Sequence, residues 1–152
     1  MPPLPVRHEH KNMSNAEKLL EYHFPARPEH LCGMRAKLRE TLVSCGASEA
    51  TLNCIILAVG EACMNIMQHA YRQEPGDIVV EVRRKGESLV FRLRDFAPGR
   101  TCPKSMRSRP LDEIRPGGLG CHIINEVMDE VKLINCSAPC GHILQMKKTL
   151  ED

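Results

Sequence analysis

At 152 residues with a formal charge of +2, the chain has the length of one domain with a full core. Its charge is too small for bulk DNA binding. With no Trp, two Tyr and three Phe, it lacks the stacking surface that single-stranded nucleic acid requires. The core must therefore be aliphatic, with Met and Cys filling gaps.

Residues 1–15, rich in Pro, His and charge, read as a disordered tail, and 16–152 as a single domain. No apolar run suits a signal peptide and none is expected to approach a membrane span, so the reading is cytoplasmic, without a membrane partner. In that compartment the eight cysteines are expected to be reduced thiols. Lys18 to Ala26 alternates as a first strand. Pro28 opens a helix with Leu31, Met34, Leu38 and Leu42 on one face, closed at Cys45-Gly46. Ser48 caps a second helix whose apolar stripe is Leu52, Ile55, Ile56, Val59, Ile66 and Met67.

Gln73 to Asp77 is a turn, and Ile78, Val80 and Val82 alternate as a strand. Lys85-Gly86-Glu87 turns the chain into Leu89, Phe91 and Leu93, a strand that runs into Asp95. From Gly99 to Pro116 a long irregular loop carries Arg100, Lys104, Arg107, Arg109 and Arg115; loops of this length are usually functional or mobile. After Gly120, Ile123, Ile124, Val127, Met128 and Val131 predict a helix. Val131 to Ile134 and Ile143 to Lys147 predict a closing strand pair. The expected architecture is α/β: a two-layer sandwich, with a mixed sheet covered by helices on one face.

Three motifs carry chemistry. Glu61, Asn65 and His69 recur at steps of four on the second helix, which stacks them on one face. An amide oxygen there suits a hard divalent cation, and a carboxylate can take a proton from a nucleophile approaching phosphorus. The bland alternative is a polar face turned away from the core. Asp95 ends a strand in Asp-Phe-Ala-Pro-Gly, where it either accepts a hydrogen bond from a ligand amine or initiates a turn. Gly117-Gly118-Leu119-Gly120 opens a helix, where glycines let backbone N–H groups approach phosphate. Cys136, Cys140 and His142 raise a zinc question, but their spacing fits no standard pattern.

In this order the motifs resemble the GHKL (Bergerat-fold) ATP-binding family of histidine kinases, Hsp90-type chaperones, gyrases and mismatch-repair proteins. Leu57 to Ala62, Gly118 to Ile124 and Met128 to Val131 are most similar to its anti-sigma-factor serine/threonine kinase branch, the RsbW-like proteins. The resemblance implies ATP and Mg²⁺ as cofactors. It implies Glu61 as general base, Asn65 as the Mg²⁺-holding residue and Asp95 as the adenine-recognising acid. Gly99, Gly118, Leu119 and Gly120 would line the nucleotide, with His69 as a further contact or merely a helix-end histidine. Arg115 lies near the family's lid arginine. The implied partners are a sigma factor, a STAS-type anti-anti-sigma protein that accepts the phosphoryl group, and a second copy in a homodimer. One departure stands out: Ala97 replaces the first glycine of the family's Asp-x-Gly-x-Gly. Ala resists positive φ and brings a methyl near the expected adenine. The rival expectation is a nucleotide-binding module that regulates a partner by docking, without phosphoryl transfer.

Overall fold

The computed structural model describes residues 16–97, 118–135 and 141–150. Residues 1–15, the whole stretch 99–116 with Gly99, Arg115 and its other basic residues, and Cys136 and Cys140 lie outside the described residues. Five strands, β1 (Glu17–Pro25), β2 (Asp77–Lys85), β3 (Ser88–Asp95), β4 (Glu130–Asn135) and β5 (His142–Thr149), form one sheet in the order β1-β2-β3-β5-β4. Three α-helices accompany it: α1 (Leu31–Ser44), α2 (Glu49–Asn65) and α3 (Gly118–Val127).

The helices lie on one face of the sheet, as expected. Ile78, Val80 and Val82 of β2 and Leu89, Phe91 and Leu93 of β3 are buried beneath them. The sheet itself corrects the expectation of mixed strands: all four pairings are antiparallel. Connectivity explains this. Two helices that reverse each other separate β1 from β2, so the chain re-enters the sheet from the end at which it left. A single helix separates β3 from β4, which makes those two parallel, but β5 is inserted between them.

The helices form where the apolar spacing placed them. Pro28 starts a 3₁₀ turn, Pro28–His30, that leads into α1. Leu31, Met34, Leu38 and Leu42 are all buried. Beyond Ser44, the Gly46 N–H donates to the Val43 carbonyl and the Ala47 N–H to that of Leu42, with Gly46 at φ +85°. This left-handed closure favours glycine. Ser48 caps α2 by accepting the Thr51 N–H at 3.2 Å. On α2, Leu52, Ile55 and Val59 are buried and Ile56 is half-buried. Gly86 turns β2 into β3 at φ +63°.

Two expectations need adjusting. Val131 belongs to β4 alone, because α3 ends at Val127 and the Asp129 N–H already donates to the Lys147 carbonyl in the sheet. The helical stretch Glu49–Ala70 is also long and apolar enough to pass for a membrane span, with a mean hydropathy of 1.5. It is the core helix, with 56% of that window buried inside the fold.

Candidate functional site

One end of the sheet gathers the chemistry. β1, β3 and β4 finish there, and β2 and β5 start there. The C-terminal end of α2 arrives at the same end, because β2 follows it. α3 starts there and runs back to β4. This topology brings the regions of all three motifs to one rim.

Asn65 is the last residue of α2 and is buried, with 8% of its surface exposed. Glu61 lies one turn earlier and is half-buried. The expectation of a solvated polar face therefore fails for Asn65, whose neighbours Ala62, Cys63, Ile66 and Met67 belong to the core. His69 leaves the group. The helix widens into a π turn over Ile66–Ala70, closed by the Tyr71 N–H donating to the Ile66 carbonyl at 3.1 Å. A π turn holds more residues than an α turn, so the step of four no longer stacks His69 over Asn65. His69 is exposed.

The π turn delivers Tyr71, which the sequence reading passed over. Its hydroxyl donates to the Asp77 carbonyl at 2.6 Å, at the start of β2, and accepts the Phe96 N–H at 2.7 Å, just beyond β3. Burial pushes the Tyr71 phenol above its ordinary range, and the nearby Asp95 charge pushes the same way. Gly76 makes room for the ring: a Cβ there would fall 2.2 Å from it. Arg72 and Gln73, both at positive φ, turn the chain between them. Tyr71 thus ties the helix end bearing Glu61 and Asn65 to the strand end bearing Asp95.

Asp95 is buried, with 3% of its surface exposed. Its Oδ1 accepts the Ala97 N–H at 3.0 Å and the His142 N–H at 3.3 Å. Its Oδ2 lies 3.4 Å from His142 Nδ1. The turn-initiating role and a buried, oriented acceptor are therefore both present. Ala97 sits in this arrangement without backbone strain. Among the described residues, positive φ outside glycine occurs only at Arg72 and Gln73, so the departure from glycine carries no backbone cost there.

His142 is itself buried, with its ring turned to Asp95. The other two residues of the zinc question, Cys136 and Cys140, lie outside the described residues. Among the described residues, no three His, Cys, Asp or Glu side chains group to hold a metal ion. Gly118 is the first residue of α3, and Leu119 and Gly120 follow in its first turn. The backbone N–H groups of that turn have no partner within their own helix, which suits an anion. The residues present fit a nucleotide carried with Mg²⁺. This cation keeps several waters and takes few protein ligands, so one amide oxygen beside phosphates is an adequate donor set.

Comparisons with known proteins give the family. Residues 24–148 match the model of the histidine kinase-like ATPase domain. The chain is 28% identical over 137 residues to serine-protein kinase RsbW of Bacillus subtilis (strain 168), covering 82% of this chain and 83% of that one. It is 30% identical over 133 residues to serine-protein kinase RsbW of Bacillus velezensis, covering 80% and 81%. Among solved structures, the RsbU and RsbW domains of Rv1364c from Mycobacterium tuberculosis share the fold, with a TM-score of 0.59 at 20% identity. That match covers 86% of this chain but only 32% of the solved one. The chain therefore belongs to the histidine kinase-like ATPase (GHKL) family, in its RsbW-like branch.

Proposed function

We propose that the protein is an ATP-dependent serine/threonine protein kinase that also acts as an anti-sigma factor. The acceptor would be a serine or threonine hydroxyl on a STAS-type anti-anti-sigma partner. The kinase would work in the cytoplasm as a homodimer, binding its sigma factor on a separate surface. Relatives named as serine-protein kinases support the class of activity. The observation that carries the reading is the Tyr71 bridge, which joins the Glu61–Asn65 helix end to the strand end of Asp95.

ATP with Mg²⁺ supplies the phosphoryl group and offsets the charge around it. The chain's own residues position and exchange protons. Asp95 accepts a hydrogen bond from the exocyclic amine of the base, which distinguishes adenine from guanine. Asn65 would hold the cation through its side-chain oxygen. The first turn of α3, with Gly118, Leu119 and Gly120, faces its N–H groups to phosphate. Glu61 takes the proton of the incoming hydroxyl as its oxygen bonds to phosphorus and ADP departs. Arg115 and Gly99, which lie between β3 and α3 in the sequence, would contribute to nucleotide binding, and His69 would contact the nucleotide from the rim. Catalysis is then mainly positioning and electrostatics.

Incubation with labelled ATP and candidate STAS proteins tests the reading. Label should reach one partner, and Glu61→Ala should lower transfer by about 100-fold or more while nucleotide still binds. Nucleotide binding with no transfer to any partner would favour the docking module instead. Ala97, which favours the module, sits without positive φ, so its backbone alone does not argue against nucleotide binding.

A further inference from the structure

The pairing of Asp95 with the Gly141-His142 step has no part in the roles assigned so far. Oδ1 of Asp95 already receives two backbone N–H groups, from Ala97 and His142. Both of its lone pairs are therefore engaged. Among the described residues, Oδ2 receives no backbone donor and faces His142 Nδ1, at 3.4 Å. It is the oxygen that keeps an acceptor position for a ligand. Gly141 makes the approach possible, since a Cβ there would fall 2.0 Å from Oδ1 and 2.5 Å from the Asp95 carbonyl oxygen. Any other residue would drive β5 away from the carboxylate.

We propose that His142 is a specificity-determining positioning residue: its backbone N–H and its ring together fix the Asp95 carboxylate so that Oδ2 presents one acceptor to a 6-amino purine. The inference deepens the nucleotide reading above and rests on it. A carboxylate on a strand end can rotate about χ2, a broad torsion for Asp. Two N–H groups on Oδ1 and an imidazole beside Oδ2 hold it in one orientation. An acceptor fixed in this way rewards an amine at the purine 6-position and rejects a 6-oxo group, which would set two acceptors against each other. A carboxylate free to turn could move out of that conflict, and discrimination would fall. His142 is buried, so its ring holds this position against the core rather than from solvent.

The test compares Mg²⁺-dependent binding of ADP and IDP, which differ in the 6-amino and 6-oxo groups, by calorimetry. The unsubstituted protein, His142→Ala and His142→Asn are measured, with thermal melts of all three. The Asn amide can place an N–H near the position of Nδ1. The ADP-over-IDP preference should shrink by about tenfold or more in His142→Ala, the scale of one hydrogen bond to a charged group. His142→Asn should recover most of it. An unchanged preference in both folded variants, or equal loss of ADP and IDP binding that tracks the melting temperature, overturns the role of His142 and leaves the nucleotide pocket standing. If the unsubstituted protein takes up neither nucleotide, the pocket itself is wrong and this inference goes with it. Should His142→Ala fail to fold, His142→Leu, which fills the space without an N–H, replaces it, with a shrunken preference supporting the role and an unchanged one opposing it.

Discussion

The hydroxyl of Tyr71 accepts the Phe96 N–H at 2.7 Å while donating its own hydrogen to the Asp77 carbonyl at 2.6 Å. One side chain therefore satisfies two backbone groups, at the start of β2 and the end of β3. Tyr71→Phe keeps the ring over Gly76 but leaves both groups without a partner. The cost should be about 1–3 kcal/mol in urea unfolding, with little change in slope. Nucleotide affinity should fall as well, because the link from helix end to strand end is cut.

Asn65 and Glu61 share a helix but are assigned different work, and substitution should separate them. Asn65→Ala should abolish the Mg²⁺ dependence of nucleotide binding and weaken it by about tenfold or more. Glu61→Gln should leave binding within about threefold and remove transfer to the acceptor. Calorimetry with and without Mg²⁺, beside a transfer assay, reads both outcomes.

Cys63 lies in the core, and burial pushes its thiol from the ordinary 9.0 up to about 12. The folded protein keeps a proton that the unfolded chain loses. The associated stability is complete below about pH 9 and disappears as pH rises through 12. Stability should fall by about 1 kcal/mol per pH unit in that window from this group. The raised phenol of Tyr71 pushes the same way above its own ordinary value. Cys63→Ala should flatten the alkaline slope without removing it, as chemical unfolding at stepped pH will show. Thiol reagents should reach the exposed Cys32 and Cys54 well before Cys63.

Arg72 and Gln73 hold consecutive left-handed conformations, at φ 51° and 68°. Neither side chain is buried. Such backbone costs a residue with a Cβ about 1 kcal/mol, and glycine much less. Gln73→Gly should therefore raise stability by about 0.5–1 kcal/mol, offset in part by the freer unfolded chain. A thermal melt gives the sign directly.

Much of this was legible in the residues because it is local. The stripe from Leu31 to Leu42, the Ser48 cap and the Gly86 turn each depend on neighbours a few positions away, and each formed where expected. Asn65 and Asp95 stood out because the motifs occur in a fixed order. The π turn did not show, because Ile66 to Ala70 contains no Gly or Pro to announce it. The turn closes on Tyr71, whose hydroxyl bonds at Asp77 and Phe96 can be seen only once the strands are placed. His142 was equally hidden: its partner Asp95 is 47 positions earlier in the chain. Its spacing to Cys136 and Cys140 had only raised a zinc question. The sheet was misread as mixed because spacing gives strands but not their neighbours. Inserting β5 between β3 and β4 is a property of the whole connectivity.

The far pole of the molecule is built quite differently. There the Gly86 hairpin, the closure of α1 at Gly46 and the Leu150 N–H bonded to the Glu87 carbonyl are knit together, with Arg84 reaching across to the Cys45 carbonyl. Among the described residues, none of the groups assigned to nucleotide handling sits at that pole. A dye or short epitope grafted onto Glu87 would thus ride a rigid scaffold about one strand length from the working rim, reporting on tumbling and assembly while leaving the chemistry undisturbed.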